Sequence, residues 1–142
     1  MMRNRGGFSL IELVLVMSII ALLIMAVGLT SGVRENAKVH SASESVKALR
    51  TAAESYIAAG NMTYTGITVS GLQTLGYLPA GFSATGSNPW GGNYAIAPNT
   101  DVNKVDILLT GVSSSAAARL SVLFANSAAA TNYASNTWTI TF

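Results

Sequence analysis

A single carboxylate stands at the head of a long apolar stretch. Gly6-Gly7-Phe8-Ser9-Leu10-Ile11-Glu12 leads into apolar residues that run to Leu29, and between Arg5 and Arg34 the only charged side chain is Glu12. A carboxylate deep in a bilayer costs about 2.5 kcal/mol or more, so it is normally there for function and has a partner. The chemistry open to Glu12 is neutralisation of a cation. The plainer alternative is an interfacial acid on an ordinary single-span anchor. Other reactive residue types are sparse. His40 is the single histidine and reads as a solvated helix residue rather than a metal ligand. Asn99, Asp101, Asn103 and Asp106 bring carboxylates and amides together, but their spacing does not match a calcium loop, and turn chemistry accounts for them. Ser113-Ser114-Ser115 lies near Arg119 with no base or acid to make a nucleophile, so it reads as a helix start. Gly91-Gly92 reads as a turn, not a phosphate loop. With no cysteine there is neither thiolate chemistry nor a disulfide. No catalytic set, cofactor or metal site is expected.

The elements that carry Glu12 follow from hydrophobic periodicity. Residues 1–7 are basic through Arg3 and Arg5, which favour a cytoplasmic N-terminus. In a secretory signal the small residues of the cleavage site follow the apolar run, whereas here Gly6-Gly7 precede it. A cut at Gly7 would leave the hydrophobic segment on the mature chain. Phe8 to Leu29 is enough helix, about 33 Å at 1.5 Å per residue, to match a hydrocarbon core. Ala42, Val46, Leu49, Ala53 and Tyr56, with Ile57 beside them, then continue as one helical stripe, and Lys47, Arg50 and Glu54 lie off it. Gly60-Asn61 is a helix stop. One helix over roughly 8–59 is expected, apolar all round in its first half and amphipathic in its second.

Downstream, residues 60–92 read as an irregular connection holding a short helix or turn over 71–78, stopped by Pro79, and an Asn88-Pro89-Trp90-Gly91-Gly92 turn. Residues 94–97 and 105–109 read as antiparallel strands across an Asn99-Thr100-Asp101 turn. Ser113 to about Asn126 reads as a capped helix burying Ala117, Leu120 and Phe124, and residues 137–142 alternate as a last strand. Residues 126–136 are expected to be a polar exterior stretch, and both Trp90 and Trp138 to lie in the core.

Composition narrows the class. Of 142 residues half are hydrophobic and 10% charged, and mean hydropathy is +0.43. The hydrophobicity concentrates in residues 8–33, while residues 60–142 are rich in Gly, Ser, Thr, Asn and Ala, which suits a small domain with many turns rather than a second span. The isoelectric point near 9.2 depends on Arg3 and Arg5; without them basic and acidic side chains balance, so no nucleic-acid patch is indicated.

Gly-Phe-Ser-Leu-Ile-Glu-Leu-Val, after a short basic leader and before one long apolar helix, resembles the class III signal of the type IV pilin family. The resemblance implies cleavage between Gly7 and Phe8 by a prepilin peptidase, N-methylation of Phe8, and a role for Glu12 in neutralising the N-terminal amine of a neighbouring subunit during assembly. It implies an α+β, pilin-like fold, with a long N-terminal helix packed on a small antiparallel β-sheet. Residues 1–7 would be the leader, 8–33 the transmembrane and assembly half of the helix, and 34–142 the globular domain with the amphipathic half. Asn88-Pro89-Trp90-Gly91-Gly92 before a strand resembles type IVb pilins, whereas the short leader and Phe8 resemble type IVa. The chain departs from both in lacking the C-terminal disulfide, and no proline interrupts the apolar half of the helix. The implied function is structural. The chain would be a single-pass inner-membrane protein before assembly, then a homo-oligomeric filament subunit built by pilus assembly machinery, serving adhesion, motility or DNA transfer. A pseudopilin of a type II secretion system and a minor pilin with an adhesin or DNA-binding role are the alternatives.

Overall fold

Helix α1 runs unbroken from Leu10 to Ala58. No proline falls within it, and Gly28 and Gly32 each cost only about 1 kcal/mol relative to alanine. The computed structural model describes residues 10–142, apart from the side chains of residues 27–31. It divides into two compact units, one ending at Asn36 and one spanning Ala37–Phe142.

In the second unit α1 ends where Gly60 turns to φ 103°, its N–H donating to the Ile57 carbonyl at 3.0 Å. The Asn61 side-chain amide donates to the Tyr56 carbonyl at 2.8 Å, satisfying another end-of-helix acceptor. The expected stripe is buried: Ala42, Val46, Leu49 and Ala53, joined by Val39 and Ala52, with Tyr56 packed against its edge. Arg50 Nε donates to Glu54 at 2.8 Å, and the Arg50 guanidinium lies 4.6 Å from the Phe142 ring centroid. An exposed ion pair of this kind contributes little, and the stacked cation adds about 0.5–1 kcal/mol.

Four strands form an antiparallel sheet in the order β1-β2-β4-β3: β1 Tyr94–Pro98, β2 Val105–Thr110, β3 Ala130–Ala134 and β4 Thr137–Thr141. Pairing sets Ile96 beside Ile107 and Ile107 beside Ile140, with Leu109 opposite Trp138. Because side chains alternate along a strand, this register puts Tyr94, Ile96, Val105, Ile107, Leu109, Trp138 and Ile140 into one core with the α1 stripe. Helix α3, Ser114–Phe124, adds Ala116, Ala117, Leu120 and Phe124. Ser113 caps it, accepting from the Ala116 N–H at 3.3 Å. The Trp138 indole donates to Ser121 Oγ at 2.9 Å.

Several expectations change. The short helix is α2, Val69–Thr74, which begins two residues earlier than expected because Thr68 caps it, accepting from the Gly71 N–H at 3.1 Å. Residues 126–136 are mostly exposed, as expected, but they contain the edge strand β3, which was not expected. Ser135 and Asn136, at φ 49° and 58°, make the two-residue turn into β4. Helix α3 stops at Phe124. Trp138 is fully buried, but Trp90 only lies against the core.

The turn at residues 88–92 is built on one amide. Asn88 is 4% exposed; its Oδ1 accepts from the N–H groups of Trp90 at 3.0 Å and Gly92 at 2.8 Å, and its Nδ2 donates to the Thr110 and Asn93 carbonyls at 2.6 and 3.3 Å. Four partners of opposite kinds fix the amide's orientation. They tie the turn to the end of β2.

Tyr94 is 4% exposed, and burial raises its phenol above the ordinary value of 10.0, with a smaller opposite pull from the Ser45 hydroxyl. The folded state therefore favours the protonated ring. Its stabilisation is complete below about pH 10 and is lost as pH rises through the raised value. In urea titrations the unfolding midpoint should fall steeply on the alkaline side, and Tyr94→Phe should flatten that fall. An unchanged alkaline slope in Tyr94→Phe would refute the assignment.

Candidate assembly surface

Glu12 sits in the first turn of α1, where an acid complements the positive end of the helix dipole. Every residue from Leu10 to Ala26 is exposed in the single chain, including Ile11, Leu13, Leu22 and Met25. Solvent exposure of that much contiguous apolar surface is untenable in water and marks a surface made to meet lipid or protein. The Ser18 hydroxyl donates to the Val14 carbonyl at 2.8 Å, so the one hydroxyl in this stretch is satisfied within its own helix. Ser18, Ala21 and Ala26 leave low points where a neighbouring backbone can approach. Gly7 and Phe8, the expected cleavage and methylation positions, lie outside the described residues, as does the side-chain environment at position 28.

Among the described residues no helix is long and apolar enough to cross a membrane. The described apolar side chains from Leu10 to Ala26 cover about 25 Å of helix, short of a hydrocarbon core of about 30 Å. In sequence the apolar run extends from Phe8 to Leu29.

In the second unit the remaining polar clusters resolve into turns and helix-surface pairs. Asn99 donates to both carboxylate oxygens of Asp106 at 2.9 Å, and Thr141 Oγ1 donates to Asp106 Oδ1 at 2.6 Å. Asp101 accepts from the Asn103 N–H at 3.2 Å and pairs with Lys104 at 3.5 Å; the backbone bond first, then the lysine, hold its carboxyl below the usual range. Glu44 is likewise lowered, chiefly by a hydrogen bond from Lys47 at 3.0 Å. His40 is exposed on α1. Among the described residues no group of acids and histidines is placed to hold a metal.

Two features escaped the sequence reading. The Tyr133 hydroxyl donates to the Val112 carbonyl at 2.9 Å, anchoring β3. Val122 and Leu123 are exposed at 77% and 60% on α3. The signal for the second was present: Leu120, Val122, Leu123 and Phe124 are four apolar residues in five, more than one helix face can bury.

The prokaryotic N-terminal methylation motif matches residues 2–28, and the family described as PilS N terminal matches residues 29–141. No curated protein and no solved structure gives a significant match. The two adjoining family matches describe a structural subunit with a prepilin-type start, not an enzyme. Together with the long helix and the small antiparallel sheet, they establish that this chain belongs to the type IV pilin family.

Proposed function

We propose that the chain is the repeating subunit of a type IV pilus filament. Residues 1–7 are its leader, removed between Gly7 and Phe8 by a prepilin peptidase that also methylates the Phe8 amine. Residues 8–33 hold the subunit in the inner membrane with its N-terminus cytoplasmic, and then pass into the shared core of an extracellular filament. Residues 34–142 form the outer domain. The observation that carries this reading is the exposed apolar helix from Leu10 to Ala26, with the carboxylate of Glu12 in its first turn. Once such helices pack on one another, water is gone and each charge must be cancelled. Glu12 and the Phe8 amine of an adjacent subunit cancel across two chains, which sets the register of one helix against the next.

The test is Glu12→Ala beside Glu12→Gln, with the intact mass of the chain measured in membrane and sheared-surface fractions. The unsubstituted chain should be abundant in the sheared fraction, start at Phe8 and carry one added methyl. An uncompensated charge costing about 2.5 kcal/mol predicts that both variants are processed yet fall at least about tenfold in that fraction. Normal filament yield from Glu12→Ala would refute the pairing of Glu12 with the Phe8 amine, and an unsubstituted chain still carrying residues 1–7 would leave only a membrane anchor. A processed wild-type chain confined to the membrane would indicate a pseudopilin or minor subunit instead.

A further inference from the structure

The four-stranded sheet has two edges, and they are finished differently. On β1, the Thr110 N–H donates inward to the Asn93 carbonyl and the Asn99 N–H to the Lys104 carbonyl. The alternation of an antiparallel ladder then turns the backbones of Tyr94, Ile96 and Pro98 away from the sheet. The Tyr94 N–H is taken by the Ala84 carbonyl at 2.8 Å, and Pro98 has no N–H to offer. This edge is closed at both ends, as the edges of natural sheets usually are.

The β3 edge is open. Val105 and Phe142 exchange N–H···O bonds at 3.1 and 3.0 Å, so Thr137, Thr139 and Thr141 turn their backbones to β3 and meet those of Ala134, Asn132 and Ala130. The N–H and carbonyl groups of Thr131 and Tyr133 therefore point outward, and among the described residues they have no hydrogen-bond partner. All of β3 except Tyr133 is exposed. From Leu120 to Phe142 the chain has neither a charged side chain nor a proline, so the usual guards of an edge are missing.

Alternating outward donors and acceptors are matched by one chemistry, the backbone of another extended strand. The strand's own sequence fits that need. When two copies of β3 run antiparallel with Asn132 opposite Asn132, each Thr131 faces a Tyr133 and each Ala130 an Ala134. Both Thr131–Tyr133 pairs then close with two backbone bonds apiece. The Asn132 amides meet on the exposed face of the sheet, where each can donate to and accept from the other. Pairs of a β-branched and an aromatic residue are favourable, and no like charges are brought together. The β1 edge cannot stand in as the partner, because Ile96 alone presents an outward N–H there.

We propose that β3 pairs edge to edge with β3 of a second copy, about a two-fold axis at Asn132. Subunits within one helical filament are related by rotation and rise, so a two-fold contact joins one filament to another. The proposal rests on the filament reading and adds side-by-side association to it. So short an edge is weak as a single pair and strong when repeated along two filaments.

The chain has no cysteine, so one introduced thiol reports the axis. Opposed Cα atoms in a non-hydrogen-bonded pair lie about 4.5 Å apart, within the roughly 4.4–6.8 Å that a disulfide spans. Sheared filaments of Asn132→Cys, treated with a mild thiol oxidant and run without reductant, should give covalent dimers of the chain and nothing larger. Ala130→Cys sets its two thiols about 14 Å apart along the strands and should stay as single chains. Both positions are exposed, so the fold should be unaffected. Asn132→Lys opposes two cations at the axis; it should leave filament yield unchanged and abolish low-speed sedimentation of bundles. Assembled Asn132→Cys filaments without dimers would overturn the pairing. So would equal cross-linking at both positions, or an adduct that is not two copies of this chain, which would give the edge to a foreign strand. If the unsubstituted chain forms no filaments, the filament reading fails by itself. The same oxidation of the detergent-held variants then decides the pairing, upheld by dimers from Asn132→Cys alone and overturned by their absence.

Discussion

Gly92→Ala is expected to destabilise the Ala37–Phe142 unit by about 3 kcal/mol or more, a large part of the roughly 5–15 kcal/mol that a domain holds in total. A Cβ on Gly92 would overlap the Thr110 carbonyl oxygen and come within 2.5 Å of its carbonyl carbon and 2.8 Å of its hydroxyl. The atoms it meets are mostly backbone and cannot rotate aside. Thr110 is also held on that side, since its carbonyl accepts from Asn88 and its hydroxyl accepts from the Asn93 N–H at 2.8 Å. Relief therefore requires opening the turn and losing several of these bonds together. Urea unfolding of the detergent-held chain, followed by circular dichroism, measures the loss; a midpoint unchanged from the unsubstituted chain would mean that the turn is not closed in solution.

Trp138→Ala should cost about 3–5 kcal/mol, the usual range for removing a large buried aromatic. Trp138 is 0% exposed and lies 6.0 Å, centroid to centroid, from Phe124. Its loss leaves a void between β4 and α3 and strips Ser121 of its indole donor. Trp138→Phe separates the two contributions, keeping much of the volume while deleting the hydrogen bond, and should cost less than half as much. The same unfolding assay reads both. Equal losses from the two substitutions would assign the effect to the hydrogen bond instead of the packing.

The parts of this fold that were legible in sequence are those where a pattern repeats over many residues or a cap names itself. The α1 stripe from Ala42 to Ala53 recurs for three turns, and Ser113 opens an apolar helix in the ordinary way. Strands β1, β2 and β4 alternate cleanly. Strand β3 does not: Ala130-Thr131-Asn132-Tyr133-Ala134 lies at the sheet edge with little buried, so there is almost no hydrophobic period to detect. Its partner and its turn, not its own residues, place it there. Ser135-Asn136 is a weaker hairpin signal than Asn-Gly, because two non-glycine residues must adopt positive φ. Trp90 was misjudged for a related reason, since a tryptophan in a turn has no period to say which way it faces. Of the candidate assembly surface, the apolar run and Glu12 were plain from sequence alone. The exposure of Val122 and Leu123 was not singled out, although Ala117, Leu120 and Phe124 already fill the buried side of so short a helix.

The Asn88 latch has a consequence for the ageing of the protein. Exposed asparagines slowly deamidate when the nitrogen of the following peptide bond attacks the side-chain amide and expels ammonia as a cyclic imide forms. After Asn88 comes Pro89, whose nitrogen carries no hydrogen and cannot make that attack. The amide that ties this turn to the sheet is thus protected by its neighbour's chemistry as well as by burial. In a chain without cysteine, the latch is indifferent to redox potential. It is also closed to the commonest chemical route by which such an amide would wear out.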